Sequence, residues 1–168
     1  MITLTNSRYR IISDHNIAEI RQNETNGQKS LFARQAWKAG DIIGSFNAGE
    51  VLYEPTYLTV QVDKHKHITL QPEFLQYMNH SCSPNAFFDT TTMRIVALQN
   101  IEAGEELTFF YPSTEWDMAQ PFTCYCGSSN CLGEIRGAAW IPADIISQYR
   151  LTDFIQRQLH DRSNEERA

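Results

Sequence analysis

Residues 79–85 read NHSCSPN, and this stretch is unusually polar for its place in the chain. It lies between the apolar segment PEFLQYM (72–78), which has a short helical pattern, and the strand-like segment AFFD (86–89). Polar groups that are buried beside a core need hydrogen-bond partners or a ligand. His80 alone fits a hydrogen-bonded core histidine as well as a catalytic one. The stretch therefore predicts a dense hydrogen-bond network or a functional site.

Cys82 in this stretch is one of only four cysteines, and the other three lie in CYCGSSNCLG (124–133). Four thiolates are a common closed shell for structural zinc, although the usual pattern is two CxxC pairs. Disulfides and free thiols are the alternatives. Cysteines that flank a single residue are poorly placed to pair with each other, and no secretory segment opens the sequence. The inventory therefore favours one zinc ion on Cys82, Cys124, Cys126 and Cys131.

Length and composition indicate one globular domain with its own core. The chain has 168 residues, of which 42% are hydrophobic, and no apolar run is long enough to span a membrane. Its net charge is −6, which argues against direct binding of nucleic acid as the main activity. The same charge would favour the approach of a basic peptide or protein.

Short alternating or β-branched runs separated by turns predict a mostly β protein up to residue 111. The predicted strands are YRIIS (9–13), SLFAR (30–34), DIIGSF (41–46), TYLTVQV (56–62), HITL (67–70), MRIVAL (93–98) and ELTFFY (106–111). Leu151, Phe154, Ile155 and Leu159 follow helical spacing after Thr152, a suitable N-cap. We therefore expect a C-terminal amphipathic helix, followed by a frayed charged tail in DRSNEERA (161–168).

Four motifs in order give the chain a specific family resemblance. LFARQAWKAGDII (31–43), NHSCSPN, GEELTFFY (104–111) and CYCGSSNCLG resemble the N-terminal strand, the NHSCxPN and GEELTxxY signatures and the post-SET motif of SET-domain protein-lysine methyltransferases. The similarity runs from about residue 28 to residue 137. It implies small, mostly antiparallel sheets with a pseudoknot, in which the GEELTFFY segment lies beside NHSCSPN. It also implies transfer of methyl groups from S-adenosylmethionine to the side-chain amine of lysine in a protein or peptide.

The resemblance implies a role for individual residues. Tyr111, the last residue of GEELTFFY, corresponds to the catalytic tyrosine that orients the amine. Phe88 and Phe109 are implied as the aromatic walls of a lysine channel, whereas Phe87 and Phe110 are expected in the core. The implied cofactor-binding residues are Lys29, Ser30, Leu31, Asn79, His80 and Tyr125. The implied ligands of the structural zinc are again the four cysteines.

Several positions depart from the family pattern. The family's GxG before the first strand is replaced by Gln28, Lys29 and Ser30, and Phe110 stands where an aspartate usually precedes the catalytic tyrosine. Two alternatives to a lysine methyltransferase therefore stay open: a non-catalytic, zinc-stabilised binding module, and a SET scaffold that acts on a small molecule. The retained Asn79, His80 and Tyr111 argue against the first alternative.

The expected organisation is a SET domain over residues 1–121 with core similarity over 28–111, a post-SET segment over 122–137, and a helical extension with a charged tail over 138–168. We expect an intracellular protein that is cytoplasmic, or nuclear in a eukaryote, with no membrane attachment.

Overall fold

The computed structural model describes residues 8–168; residues 1–7, which belong to the predicted first domain, lie outside the described residues. Strands dominate the described part. They are β1 (Tyr9–Asp14), β2 (Ala18–Asn23), β3 (Lys29–Ala33), β4 (Ile42–Ser45), β5 (Asn47–Leu52), β6 (Val60–Asp63), β7 (Lys66–Gln71), β8 (Asn79–His80), β9 (Ala86–Asp89), β10 (Arg94–Ala97), β11 (Thr108–Phe109), β12 (Phe122–Thr123) and β13 (Glu134–Ile135). The helices are α1 (Ala143–Ile146) and α2 (Asp153–Arg167), and short 3₁₀ turns cover Glu73–Tyr77, Tyr111–Ser113 and Ala138–Trp140.

The strands form four small sheets, ordered β1-β2-β3, β4-β10-β9-β11-β8, β5-β7-β6 and β12-β13. All pairings are antiparallel except those of β11 with β8 and β9. The fold is therefore mostly β with small sheets and a C-terminal helix, as the motifs predicted. In the described part of the chain, no helix is both long and apolar enough to cross a membrane.

The parallel pairing brings the two signature motifs together. Thr108 and Phe109 of β11 lie opposite Asn79 and His80 of β8. The Asn85 side chain reinforces this contact, because its Nδ2 donates to the carbonyl of Glu106 at 2.8 Å and its Oδ1 accepts from the backbone N–H of Thr108 at 2.9 Å. Much of the polarity of NHSCSPN therefore serves a hydrogen-bond network that joins the motifs.

The sequence analysis did not predict β2 and β5, nor the two-residue strands β8, β12 and β13. β2 has the sequence AEIRQN, and β5 has the sequence NAGEVL and is an almost fully exposed edge strand. Neither carries a strong β-forming pattern, so both depend on pairing with their neighbours. Only their partner strands, β1 and β3 for β2 and β7 for β5, have sequence patterns that predict a strand.

The C-terminal helix begins as predicted, since the Thr152 hydroxyl accepts a hydrogen bond from the backbone N–H of Ile155 at 3.4 Å. The prediction of a frayed tail from residue 161 is wrong, because α2 continues to Arg167. Arg162 extends the packing: its Nη1 donates to the carbonyl of Ala139 at 3.0 Å.

Phe110 belongs to the core of this C-terminal part, together with Ile146, Phe154 and Ile155. Its ring stacks on Tyr149 with centroids 3.7 Å apart and planes 6° apart. The phenylalanine at the usual aspartate position therefore attaches the C-terminal extension to the strand that precedes Tyr111. Phe87 is also buried, as expected.

Candidate functional site

The four cysteines converge, although 42 residues separate Cys82 from Cys124. Their sulfur atoms all lie within 4.8 Å of one another, and the sulfurs of Cys82 and Cys124 are 4.0 Å apart. Four thiolates around tetrahedral zinc, each about 2.3 Å from the metal, would lie about 3.8 Å apart. We call Cys82, Cys124, Cys126 and Cys131 the thiol cluster. Its number of ligands, chemistry and spacing fit one zinc ion.

Burial alone would keep part of this cluster protonated. It raises the pKa of Cys82 well above that of an ordinary thiol and that of Cys124 to about 11. A divalent cation reverses this preference, because it binds thiolates. The cluster is thus suited to a metal-bound state.

His80 connects the thiol cluster to the end of β11. The backbone N–H of Tyr111 donates to His80 Nδ1 at 3.1 Å, and His80 Nε2 lies 3.3 Å from the Cys82 sulfur. Burial lowers the pKa of His80 to about 4, so the ring is neutral. Since Nδ1 accepts a hydrogen bond, the proton is on Nε2 and is donated toward Cys82. His80 therefore orients the Tyr111 backbone and the thiol cluster at once.

One cavity beside this bridge is polar, and we call it cavity A. Its volume is about 530 Å³. It is lined by Gln28, Asn79, His80, Glu106, Tyr111, Phe122, Thr123, Cys124, Tyr125 and Cys126. This volume falls in the range of small-molecule and cofactor sites.

Asn79 forms the floor of cavity A and ties it to β3. Its Nδ2 donates to the carbonyl of Lys29 at 3.0 Å and to Ser30 Oγ at 2.9 Å. Ser30 and Leu31 are buried, and neither they nor Lys29 line the cavity, whereas Gln28 does. Gln28, the residue immediately before the predicted Lys29, Ser30 and Leu31, is thus the one that this segment contributes to the wall of cavity A.

Tyr125 is on the opposite side and is 90% exposed. It projects from the segment between two cysteines, and its ring lines cavity A. An exposed aromatic ring in this place can stack on a planar ligand such as adenine. The residue therefore meets the geometric requirement of its predicted role.

A second cavity, cavity B, has a volume of about 280 Å³ and mainly apolar walls. Its lining includes Val60, Leu70, Leu75, Met78, Phe109, Tyr111, Glu115, Met118 and Phe122. Phe109 is in this wall as predicted, with its ring centroid 4.7 Å from that of Tyr111. Phe88 does not reach either cavity: it is fully buried behind Phe109, with ring centroids 4.7 Å apart.

Tyr111 and Phe122 line both cavities. The Tyr111 hydroxyl donates to the carbonyl of Met78 at 3.3 Å. Burial raises the pKa of this hydroxyl to about 12, and the charges of Glu106 and Glu115 add to the effect. The phenol therefore stays protonated at neutral pH, and because its hydrogen is donated to Met78, its oxygen can accept a hydrogen bond at the boundary between the cavities.

Sequence reasoning missed many residues of these walls, among them Gln28, Glu106, Glu115 and Phe122. Glu106 had a signal, since it is a carboxylate within a signature motif. Phe122 stands two residues before Cys124, where only the convergence of the thiols brings it to Tyr111. Glu115 had no signal beyond its closeness to Tyr111 in the sequence.

Comparison with known proteins gives a consistent result. The family model described as SET domain matches residues 28–112. The methyltransferase flvH of Aspergillus flavus is 42% identical over 123 residues, which are 72% of this chain and 68% of that protein. A histone-lysine N-methyltransferase, H3 lysine-36 specific, of Chaetomium globosum is 37% identical over 123 residues. A protein of the same name from Gibberella zeae is 34% identical over 112 residues.

The match to the histone methyltransferases is local. It covers 60% of this chain but 14% of the Chaetomium globosum protein, and 53% of this chain but 12% of the Gibberella zeae protein. The chain thus spans a small part of those relatives and about two thirds of the flvH methyltransferase.

Proposed function

Because the chain belongs to the SET domain family of methyltransferases, we propose that it transfers methyl groups from S-adenosylmethionine to the side-chain amine of lysine in a protein substrate. The observation that carries this proposal is that Tyr111 lines both cavity A and cavity B. Methyl transfer needs donor and acceptor on opposite sides of the reacting carbon. Two cavities that share a tyrosine provide such an arrangement.

Cavity A is the proposed cofactor site. S-adenosylmethionine, when bound, supplies a sulfonium methyl group for attack by the amine. Asn79 and the backbone of β8 would bind it on one side, and Tyr125 would cover the adenine on the other. Glu106 adds a carboxylate that can accept hydrogen bonds from the amino group of the cofactor.

Cavity B is the proposed lysine channel. Its apolar walls suit an alkyl chain and exclude water. Phe109 lies beside Tyr111 and can pack against the last carbons of the chain. The role of Phe88, which lies behind Phe109, is to support that ring.

Tyr111 is the proposed catalytic residue, acting by orientation. Its hydroxyl is neutral at pH 7 and donates to the carbonyl of Met78, so its oxygen can accept a hydrogen bond from the amine N–H and leave the nitrogen lone pair free to attack. A preorganised polar group of this kind accelerates a reaction by about 10² or more. Proton abstraction by a tyrosinate would require a much higher pH.

The proposed structural zinc on the thiol cluster holds the wall that carries Phe122 and Tyr125. Among the described residues, β12 and β13 give this region only a two-residue strand pair. Metal binding would supply the folding free energy that such a short pairing lacks.

For the substrate, the relatives named for histone H3 lysine 36 support a protein lysine in a basic sequence, which the acidic chain would attract. An intracellular location stays a prediction, and these relatives favour the nucleus. A peptide centred on H3 lysine 36 is therefore the first substrate to test.

The test is a calorimetric titration with S-adenosylmethionine, followed by mass spectrometry of a lysine peptide panel after reaction. We expect binding near one equivalent and addition of 14 Da units to lysine. The absence of cofactor binding would contradict the proposal in favour of a non-catalytic module. Cofactor binding with methylation of small amines but of no peptide would point to a small-molecule substrate.

A further inference from the structure

Cavity B contains an ionisable group that neither the motifs nor the family resemblance assigned. Its wall is mostly apolar, yet Glu115 lines it close to Tyr111. The Glu115 residue keeps part of its surface exposed, while its carboxyl group is buried enough that its pKa is raised to about 8. Hydrogen bonds from the backbone of Gln61 and from Thr114 only partly oppose this effect.

The carboxyl group is held in place by β6. The backbone N–H of Gln61 donates to Glu115 Oε2 at 2.8 Å. In return, Gln61 Oε1 accepts from the backbone N–H of Trp116 at 3.0 Å. This reciprocal pair fixes Glu115 between the sheet that contains β6 and the turn that follows Tyr111, so its position does not depend on a bound substrate.

No cation neutralises this carboxyl. Within residues 8–168, no lysine, arginine or histidine forms a salt bridge with Glu115. The nearby Arg162 is engaged with backbone carbonyls. The Tyr111 hydroxyl cannot neutralise it either, since a phenol carries no positive charge. Ionising a buried carboxyl without a cationic partner is costly, which is why its pKa is raised, and a bound cation would offset that cost.

A lysine side chain arrives as a cation, because its ordinary pKa is about 10.4. We propose that Glu115 is a specificity-determining residue, which binds the substrate ammonium group in cavity B and selects a cationic side chain over a neutral one of the same length. The inference rests on the proposed function and names the residue that recognises the charge.

The test uses the lysine side chain on its own. Protein NMR titrations at pH 9, above the pKa of Glu115, compare n-butylammonium with 1-butanol, which has the same carbon chain and no charge. We expect wild-type protein to bind the ammonium at least about tenfold more tightly, the scale of one hydrogen bond to a charged group. Glu115→Gln keeps an oxygen that accepts from Gln61, and should reduce the ratio of affinities to about one.

Two further variants separate charge recognition from structure. Glu115→Asp keeps the charge and should retain a preference for the ammonium. Glu73→Gln removes an exposed carboxylate from the 3₁₀ turn that contributes Leu75 to the same cavity, and should leave the wild-type ratio unchanged. Thermal melting checks that the variants are folded.

The inference is overturned if wild-type protein binds 1-butanol as tightly as n-butylammonium, or if folded Glu115→Gln retains the wild-type ratio. The first outcome needs no variant. Because the titration contains no cofactor, its result is independent of the proposed methyl transfer. If the wild-type protein binds S-adenosylmethionine but does not prefer n-butylammonium, only the role of Glu115 is refuted. If it prefers n-butylammonium but does not bind S-adenosylmethionine, only the proposed methyl transfer is refuted.

Discussion

The two walls that meet at Tyr111 are stabilised in different ways. The wall formed by β8, β9 and β11 is part of a five-stranded sheet, and its hydrogen bonds are mainly between backbone groups. The wall that carries Phe122 and Tyr125 has one two-residue strand pair and otherwise depends on the thiol cluster. The first wall tolerates many side-chain changes, whereas the second should fail when one ligand is lost. His80 is one of the connections between them, and the hydrogen bonds from the Ser83 hydroxyl to Asn130 and from the backbone N–H of Leu132 to the Cys82 sulfur are others.

The largest expected effect comes from breaking the second wall. Cys124→Ser should reduce bound zinc to less than about half an equivalent and abolish detectable cofactor binding. Structural zinc needs four protein ligands, and the three remaining thiolates would hold it poorly. Hydrogen exchange should increase over residues 122–135 and much less in β9 and β10. Elemental analysis and hydrogen-exchange mass spectrometry measure these changes.

Full zinc content together with unchanged melting in Cys124→Ser would refute this dependence. Ser128→Ala is a suitable control, since it changes the same loop and keeps all four thiols. Its hydroxyl lies 2.9 Å from the sulfur of Cys126, so only a modest effect is expected.

The next effect concerns the residue that both walls share. Tyr111→Phe should lower single-turnover methylation by about 10² or more and leave cofactor affinity nearly unchanged, because it removes the hydroxyl but keeps the ring. Since burial raises the pKa of Tyr111 to about 12, the wild-type rate should show no inflection from this group below about pH 10. Rapid-quench kinetics from pH 7 to pH 10 measure both.

Tyr149→Phe is the matched control for this prediction. It also removes a hydroxyl, which donates to the carbonyl of Cys82 at 2.7 Å, but Tyr149 lines neither cavity A nor cavity B. We expect lower stability with a smaller change in rate. Equal rates in Tyr111→Phe and wild type would rule out the orienting role.

A smaller loss of methylation rate should follow from removing the His80 side chain, which contacts both walls. His80→Ala leaves the backbone N–H of Tyr111 without its acceptor and removes one donor to the Cys82 sulfur, which keeps the backbone N–H of Leu132, while all four zinc ligands remain. Groups that orient metal ligands typically contribute about tenfold or more to metal affinity or activity. We therefore expect the methylation rate to fall about tenfold, with zinc content near that of the wild type. Parallel metal analysis and kinetics decide it, with Ser81→Ala as the control in the same segment, since the Ser81 hydroxyl accepts a local hydrogen bond from the backbone N–H of Ser83. A wild-type rate would show that His80 does not couple the two walls.

The smallest effect on rate, but a change in product, is expected at Phe109. A tyrosine two positions before the catalytic tyrosine can hold a water molecule in the space that a methylated amine needs. Phe109 has no hydroxyl, so the wild type should add two or three methyl groups, and Phe109→Tyr should shift the product toward monomethyl-lysine. Mass spectrometry at exhaustive reaction reads the product, and a wild type that stops at one methyl group contradicts the prediction.

Features that depend on residues close together in the sequence were predicted, whereas features that depend on distant residues were missed. The four motifs predicted the SET fold because each combines turn residues, strand residues and reactive side chains within ten or so positions. β2 and β5 escaped prediction because their pairing partners, and not their own residues, make them strands. The tail after residue 160 was predicted to fray because its charges are visible in the sequence, whereas the packing of Arg162 on residues 139 and 141 is not.

The candidate site divides in the same manner. The sequence alone identified the four cysteines that could bind a metal and placed Phe109 and Tyr111 in one short motif, since these inferences need only a limited inventory of thiols and local patterns. The role of Phe109 in a lysine channel stays a prediction. Only the tertiary structure decided that Phe88 lies behind that wall, that Gln28 takes the place of Lys29 at cavity A, and that Glu115 enters cavity B. The reason is physical: which side of a short strand or turn faces a cavity depends on the sheets packed around it. Glu115 lines cavity B where β6 holds its carboxyl, and the two are separated by 54 residues of chain.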